Sequence, residues 1–339
     1  MRFFSDNTAT ICPPLLAAIT GANRGLEKAY GDDPWTQRLD AVLGAYFGTS
    51  VRAFVVTTGT AANSLAIATL SPPYGAVFAH DEAHIVRDEC GAPEFFSGGA
   101  RLTIVHGEHG KLTPAALAEA IEDNPPNVHT VQPAVVSLTQ ATELGTAYRP
   151  AEVSALAETA HRHRLRVHMD GARFANALVY LGCEPADVTW RAGVDVLSFG
   201  ATKNGGLAAE AVVFFRPELV ADFEFRRKRA GHLLSKSRFA AAQLIAYVES
   251  GVWRDNATWA NACARRIGEA AGARLLQPVE ANEVFVRLGA AGKQRLRSAG
   301  FEFYDWGAES RGEARFVASW DQTEASVSAL CAALKRDSA

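Results

Sequence analysis

Two short apolar segments, each leading to a chemically useful side chain, limit the folds open to this chain more than any other feature. Residues 166–170 end on the carboxylate of Asp170, and residues 195–199 lead into a loop of small residues that carries Lys203. Short apolar runs bounded by turn residues are typical of buried strands. We therefore predict two buried strands whose functional ends point outward.

One cofactor needs this pair of residues. Pyridoxal phosphate is bound by a lysine as a Schiff base, and its pyridine nitrogen requires an anionic partner. A lysine among small residues can lose its proton and act as a nucleophile. Taken singly, Asp170 could cap a helix and Lys203 could be a solvated loop residue. Together they favour pyridoxal phosphate, with Lys203 as its covalent attachment and Asp170 beside the ring nitrogen.

A third segment is a candidate phosphate site. The β-branched run 53–57 is followed by Gly59, Thr60 and Ala61, where small residues open a helix. A helix N-terminus presents unpaired N–H groups and the positive end of the helix dipole. We predict that these three residues bind the cofactor phosphate. The chain has neither a Gly-x-Gly-x-x-Gly nor a Walker A sequence, which argues against a dinucleotide enzyme.

Between the phosphate segment and Asp170, short apolar runs alternate with helical ones. Candidate strands lie at 101–105 and 134–138, and candidate helices at 113–121 and 150–163. This βαβ alternation predicts an α/β fold with a mainly parallel sheet and helices on both faces.

The pattern changes near residue 248 to a long helix, three short strands and a final helix. No linker rich in proline or serine marks the change. We predict a large cofactor-binding domain over residues 1–247, which includes an extended N-terminal arm, and a small α+β domain over residues 248–339.

Composition excludes several classes of protein. A chain of 339 residues with 48% hydrophobic content can bury a large core. The net charge of −3 predicts no general affinity for nucleic acid or anionic membranes. The five scattered cysteines suggest buried thiols rather than disulfides or a zinc site. With no signal-like start and no run near the roughly 20 apolar residues of a membrane span, a cytoplasmic protein is expected.

A histidine pair raises a metal alternative. His80 and His84 lie four residues apart, so on a helix they would share one face. The intervening Glu82 is one position away from the His-Glu-x-x-His arrangement of zinc peptidases. We expect no metal site, and keep a metal-dependent hydrolase that uses His80 and His84 as a remote alternative.

A family resemblance rests on two segments, Asp-Gly-Ala-Arg-Phe-Ala-Asn at 170–176 and Ser-Phe-Gly-Ala-Thr-Lys-Asn-Gly at 198–205. They resemble the signature segments of the L-threonine aldolases, which are fold-type I pyridoxal phosphate enzymes. The similarity covers nearly the whole chain and is greatest to the bacterial low-specificity branch. It implies retro-aldol cleavage of L-threonine, L-allo-threonine and related β-hydroxy-α-amino acids to glycine and an aldehyde. It also implies a homotetramer, a dimer of dimers with shared active sites.

The resemblance also implies individual roles. His84 is expected to stack on the pyridine ring and is a candidate base, and His129 to contact the substrate's β-hydroxyl group. Arg173 is expected to contact the cofactor's phenolic oxygen and the substrate. Tyr30 and Ser5 belong to segments that border the substrate.

Two departures from the family affect what can be carried over. The basic run 226–229 corresponds to an Arg-Lys pair that reaches the cofactor phosphate or a neighbouring active site, and we assign Arg229 to the phosphate, although residues 231–236 differ from the family's usual sequence. Many aldolases have Glu-Asn-Thr after the strand at 134–138, whereas this chain has Thr-Gln-Ala-Thr-Glu at 139–143.

Arg315 is the candidate for binding the substrate carboxylate. Residues 313–319 alternate as a half-buried strand that places Ala314 and Phe316 on one face and Arg315 on the other. A guanidinium can hold a carboxylate through two parallel hydrogen bonds. The alternative is a solvated edge residue. β-Elimination or transamination would use the same cofactor-binding residues, and so remains an alternative reaction.

Overall fold

The computed structural model describes residues 1–336, and a seven-stranded sheet lies at its centre. The strand order is β1-β7-β6-β5-β4-β2-β3, and β7 runs antiparallel to both its neighbours, β1 and β6, while the other pairs are parallel. The mainly parallel sheet is therefore confirmed. The strands are β1 (Arg52–Val56), β2 (Gly75–His80), β3 (Arg101–Val105), β4 (Gln132–Thr139), β5 (Arg166–Gly171), β6 (Val196–Gly200) and β7 (Glu210–Phe214).

Helices cover both faces of this sheet. In β6, Leu197 and Phe199 join one apolar cluster while Val196 joins another on the opposite face, so the strand is buried on both faces. The helices are α1 (Pro13–Ala22), α2 (Pro34–Phe47), α3 (Gly59–Leu70), α4 (His84–Arg87), α5 (Ala92–Ser97), α6 (Pro114–Glu122), α7 (Pro150–Arg162), α8 (Phe174–Leu181), α9 (Phe223–Arg229) and α10 (Arg238–Glu249).

The C-terminal part has a separate sheet and core. Three antiparallel strands lie in the order β8-β10-β9. Of the three short strands predicted here, the second was expected at 301–304 but lies later, because Phe301 and Phe303 insert into the core and regular pairing begins only at Tyr304. The elements are α11 (Val252–Ala271), β8 (Glu283–Arg287), α12 (Gly289–Ser298), β9 (Tyr304–Trp306), β10 (Glu313–Val317) and α13 (Glu324–Arg336).

The N-terminal arm packs on the C-terminal part rather than on the large sheet. The Phe3 amide donates to Glu302 O over 2.8 Å, and the Val317 amide donates to Phe3 O over 2.7 Å. The Phe3 side chain is buried in the C-terminal core. The start of the arm therefore pairs with the C-terminal part, while the division of the chain into residues 1–247 and 248–339 stays a prediction.

The five cysteines are unpaired. Cys12 and Cys263 are buried as expected, but Cys90 is exposed, so the expectation of buried thiols holds only in part. Within residues 1–336, no helix combines the length and apolar character needed to cross a membrane.

The topology brings the functional segments to one edge of the large sheet. The carboxyl ends of parallel strands meet at the same edge, where α/β proteins form their binding sites. Here β5 delivers Asp170, and the loop after β6 delivers Lys203. Because β7 is antiparallel, its first residue, Glu210, lies at this edge too, opposite Gly200 and Val56.

Candidate active site

A cavity at this edge contains most of the predicted cofactor residues. Asp170, Lys203 and His84 line it, together with Gly59 and Thr60 at the start of α3. Segments far apart in sequence therefore meet as predicted. Additional lining residues are Asn7, Thr57, Thr58, Asn63, Thr139, Ala141, Glu143, Ala172, Arg173, Thr202 and Glu210.

The carboxylate of Asp170 is buried and held in one orientation. The Ala172 amide donates to Oδ1 over 2.9 Å, and Asn63 Nδ2 donates to Oδ2 over 2.7 Å. Two residues earlier on β5, His168 bridges Ser137 and Ser198 through its two ring nitrogens. Burial lowers the pKa of His168 to about 4, so this histidine is a neutral structural bridge between strands.

Lys203 lies in a short turn where neighbouring atoms leave no room for larger side chains. Gly205 has φ +107°, and a Cβ there would approach Asn256 Nδ2 to 2.8 Å. A Cβ on Gly200 would collide with the Glu210 carboxylate. Asn204 anchors the turn by donating to Tyr247 Oη over 2.7 Å. Among residues 1–336, no hydrogen bond or ion pair occupies the Lys203 amine, which leaves it available to the cavity.

The start of α3 lies at the cavity, where the phosphate site is predicted. Gly59 and Thr60 line the cavity. The Ala61 amide, however, donates to Thr58 Oγ1 over 3.1 Å, because Thr58 is the N-cap of the helix. Ala61 is buried and does not line the cavity, whereas Thr58 does, so a phosphate contact by Ala61 stays a prediction.

His84 belongs to a chain of hydrogen bonds that ends at Asp170. Its Nδ1 lies 2.8 Å from Glu89 Oε1, and the same oxygen accepts from Asn63 Nδ2 over 2.8 Å. The hydrogen bond to Glu89 raises the pKa of His84, although burial opposes the shift. Burial raises the pKa of Glu89 in turn. Asn63 and Glu89 connect His84 to Asp170, and neither was predicted from the sequence.

Two further acids line the cavity, the half-buried Glu143 and the buried Glu210, and neither was predicted from the sequence. Glu143 accepts a hydrogen bond from the His84 amide over 2.6 Å, and burial, with a contribution from Asp170, raises its pKa to about 8. Burial raises the pKa of Glu210 to about 7, although Thr202 and Lys203 lower it. Both carboxyl groups therefore exchange protons near neutral pH.

Arg173 is tied to acids from two other parts of the chain. Its Nε and Nη2 donate to the two oxygens of Asp6 over 2.8 and 3.0 Å, and its Nη1 lies 3.3 Å from Glu283 Oε2. Burial raises the pKa of Asp6, but the charges of Arg173 and Lys203, together with hydrogen bonds from Arg173 and Asn282, outweigh burial and lower the pKa overall. Arg173 lines the cavity as predicted, where it joins the arm to β8.

Arg315 lies in a second cavity that shares Lys203 and Arg173 with the first and also contains Ser5. The strand alternation is confirmed, since Ala314 and Phe316 are buried in the core and the Arg315 side chain is 18% exposed on the other face.

Two aromatic rings position this guanidinium. Its carbon lies 5.4 Å from the ring centre of Tyr304 and 5.3 Å from that of Trp306. Its nearest carboxylate oxygen, Glu283 Oε1, is 3.6 Å away. This ion pair is long, so the N–H donors of Arg315 are oriented but remain able to form hydrogen bonds with a ligand.

Three predicted residues do not reach the site of their own chain. His129 is exposed in the segment before β4, while the far end of β4, about 25 Å away for an eight-residue strand, borders the cavity. Tyr30 is 53% exposed and stacks against Lys228. Arg229 is exposed at the end of α9 and lines a separate groove. Because the resemblance implies active sites shared between subunits, these three assignments stay predictions.

The geometry does not support the metal alternative. His80 Nε2 lies 2.9 Å from the carbonyl of Gly107, and its Nδ1 accepts from the Glu82 amide. His84 is directed to Glu89. In the part of the chain that the structure describes, no three His, Cys, Asp or Glu side chains converge in a way that could hold a metal ion.

Pyridoxal phosphate fits the residues present. Asp170 is a fixed, buried carboxylate without a cationic partner within hydrogen-bond distance, as a protonated ring nitrogen requires. Gly59 and Thr60 offer helix N-terminal amides to a phosphate, and the Lys203 amine is unpaired in residues 1–336. These are three independent requirements of one cofactor.

Comparisons with known proteins agree with this geometry. The family model for β-eliminating lyases matches residues 2–291. The low specificity L-threonine aldolase of Pseudomonas aeruginosa is 48% identical over 94% of this chain and 93% of its own length. That of a Pseudomonas strain is 45% identical over 98% and 97%.

Solved structures give the same result. A threonine aldolase of Leishmania major superposes with a TM-score of 0.93 at 26% identity, covering 100% of this chain and 99% of that one. A serine palmitoyltransferase of Sphingomonas wittichii shares the fold. It superposes with a TM-score of 0.75 at 16% identity, covering 99% of this chain and 86% of that one. With the family model matched over residues 2–291 and two relatives 45% and 48% identical over nearly the whole chain, the chain belongs to the β-eliminating lyase family.

Proposed function

We propose that this protein is a carbon–carbon lyase that uses pyridoxal phosphate to cleave L-threonine, L-allo-threonine and related β-hydroxy-α-amino acids to glycine and an aldehyde. The observation that carries the proposal is the convergence of Lys203, Asp170 and the start of α3 in one cavity, beside a second cavity that contains Arg315. The relatives named low specificity L-threonine aldolase, at 45% and 48% identity over nearly the whole chain, support the same reaction.

The cofactor would be held by Lys203 through its amine, by Gly59 and Thr60 through their amides, and by Asp170 at the ring nitrogen. His84 lies on the cavity wall, where its imidazole can stack against the ring. When bound, pyridoxal phosphate supplies an electron sink for the pair of electrons left on Cα as the Cα–Cβ bond breaks.

Asp170 sustains this sink by keeping a proton on the ring nitrogen. Its two oxygens already accept from Ala172 and Asn63, so the carboxylate is fixed before any ligand binds. A fixed anion stabilises a nearby cation without reorganising during the reaction.

Arg315 orients the substrate by its carboxylate. The guanidinium packs against the rings of Tyr304 and Trp306, which restrict the directions in which its donors can face the cavity. Restricting the substrate in this way lets the scissile bond be held in the orientation that the electron sink needs.

The direct test is product analysis. The cofactor-loaded protein is incubated separately with L-threonine, L-allo-threonine and phenylserine, and the products are identified by NMR. We expect glycine in all three reactions, with acetaldehyde from the first two and benzaldehyde from the third. Ammonia and a keto acid would instead identify β-elimination, and transfer of the amino group to an added keto acid would identify transamination.

We further propose a homotetramer built from dimers, located in the cytoplasm. Tyr30 and Arg229 are exposed outside the cavity of their own chain, as is His129, so any role in catalysis requires a neighbouring subunit. The groove beside Arg229 also exposes Phe225, at 78%, an apolar ring suited to burial in an interface. The unpaired cysteines are consistent with a reducing compartment.

A further inference from the structure

Five residues line both the cavity of Lys203 and the cavity of Arg315, and so mark where the two join. They are Asn7, His84, Glu143, Arg173 and Lys203. A substrate attached at Lys203 with its carboxylate at Arg315 must pass this junction. Apart from Lys203 itself, only His84 and Glu143 among the five are suited to accept a proton near neutral pH.

Glu143 is anchored at the junction by a backbone amide, and the charges of His84 and Arg173 act on it without a direct ion pair. One oxygen, Oε1, accepts from the His84 amide over 2.6 Å, and the only other donor is its own backbone amide. Within residues 1–336, no side chain forms a hydrogen bond or ion pair with this carboxyl group. Glu143 is half-buried, so in the described part of the chain its second oxygen has no side-chain partner and faces the space where the two cavities join.

The surroundings of Glu143 suit proton exchange. Burial, reinforced by the negative charge of Asp170, raises its pKa to about 8. A base works best when its pKa lies near the operating pH. The other acceptor, His84, is already committed through Nδ1 to Glu89, and that hydrogen bond raises its pKa and favours its cationic form.

We propose that Glu143 is the catalytic base that takes the proton from the substrate's β-hydroxyl group, an inference that rests on the proposed function. The O–H bond breaks and the proton moves to the Glu143 carboxylate. The oxygen and Cβ become the carbonyl of the aldehyde as the Cα–Cβ bond breaks, and its electron pair remains with the Cα fragment. Cα later takes up one proton from solvent, and Glu143 releases one to solvent, so no net proton is consumed.

The test separates the step at the β-hydroxyl from the chemistry at Cα. The cofactor-loaded wild-type enzyme and Glu143→Gln are compared in threonine cleavage and in exchange of the glycine α-proton with deuterated water, followed by NMR. Glycine has no β-hydroxyl group. The glutamine side-chain oxygen can still accept from the His84 amide, so the anchor is retained.

We expect Glu143→Gln to lose about 100-fold or more in kcat for threonine, as for loss of a general base. Glycine exchange should stay within about threefold of wild type, because that reaction does not need this base. The wild-type kcat should rise with pH towards a plateau above the pKa of Glu143, and the variant should lose this rise. Retention of the rise in the variant would assign the base to another group.

Glu210→Gln is the matched control, since it also removes a buried carboxyl group from the cavity. It should affect cleavage and glycine exchange by similar factors. Equal losses of both reactions in Glu143→Gln would show that Glu143 only supports the site, and near-normal cleavage would place the base elsewhere. A wild-type enzyme that exchanges glycine but yields no aldehyde would overturn the proposed function itself, and this role with it.

Discussion

Asn63 Nδ2 lies 2.7 Å from the carboxylate of Asp170, and the same nitrogen lies 2.8 Å from Glu89. One amide thus links the anion expected beside the cofactor ring to the acid that orients His84. Asn63 is on α3, whose first residues face the cavity as the candidate phosphate site. A single helix therefore relates the two ends of the cofactor site to each other.

Asn63→Ala should destabilise the protein. It leaves Asp170 and Glu89 with one donor fewer each in a buried setting, and the expected loss is about 1–3 kcal/mol in the free energy of unfolding. Urea denaturation followed by circular dichroism measures this loss. Asn127→Ala, in an exposed loop, is the control and should stay within about 0.5 kcal/mol of wild type.

Lys203→Ala should abolish covalent attachment of the cofactor. Borohydride reduction of the loaded wild type is expected to give a stable adduct visible by mass spectrometry, and the variant should give none and retain almost no turnover. Lys28→Ala, at an exposed lysine outside both cavities, should behave as wild type. A full yield of adduct in Lys203→Ala would place the attachment at another lysine.

Asp170→Asn should still bind cofactor but weaken the electron sink, because a neutral amide does not favour a protonated ring nitrogen. With saturating glycine, the variant should develop much less of the long-wavelength absorbance that marks electron withdrawal from Cα. Spectra recorded at equal cofactor content test this. Undiminished absorbance would exclude the role given to Asp170.

Arg315→Ala should lose about 2–4 kcal/mol in kcat/KM, as for one partner of a buried charge pair. Arg315→Lys should retain cofactor absorbance and raise KM sharply, because an ammonium cannot form two parallel hydrogen bonds. Arg287→Ala removes a guanidinium that is 63% exposed in the same sheet, and should change kcat/KM little. If instead Arg287→Ala has the larger effect, Arg287 binds the carboxylate.

Glu210 should make stability depend on pH. Its pKa is raised from 4.5 to about 7 by burial, so its contribution is fully present below pH 4.5 and is lost as the pH rises through about 7. Between these limits the wild type should lose roughly 3 kcal/mol relative to Glu210→Gln, which has no charge to bury. Urea titrations of the cofactor-free proteins at pH 4.5, 6 and 8 measure the difference. A constant difference across this range would contradict the assignment.

The cofactor-binding residues were predictable because each follows from a local rule. Asp170 and Lys203 end apolar runs, and Gly59 and Thr60 begin a helix, so sheet topology alone brings them together. The acids Glu89, Glu143 and Glu210 were not predictable in this way. Burial of an acid depends on packing between distant segments. The local sequence therefore does not distinguish a buried glutamate from an exposed one.

The positions of His129, Glu210 and the Ala61 amide likewise follow from strand pairing and helix capping. His129 precedes β4, and residues before a parallel strand lie at the edge of the sheet opposite the cavity, so its topology argued against a role in its own chain. The antiparallel direction of β7, which brings Glu210 to the cavity, follows from pairing rather than from its apolar sequence. Thr58 was a typical N-cap residue, and recognising it would have predicted its hydrogen bond with the Ala61 amide.

The N-terminal arm has a consequence for how the site is assembled during synthesis. Phe3 is held by Glu302 and Val317, and Asp6 by Arg173, so these residues bind partners that are synthesised much later. Closing such a long loop is slow, and the partners must exist before it begins. We expect the arm to dock late in folding, and until it does, Arg173 lacks the Asp6 carboxylate that holds its guanidinium beside the cavity.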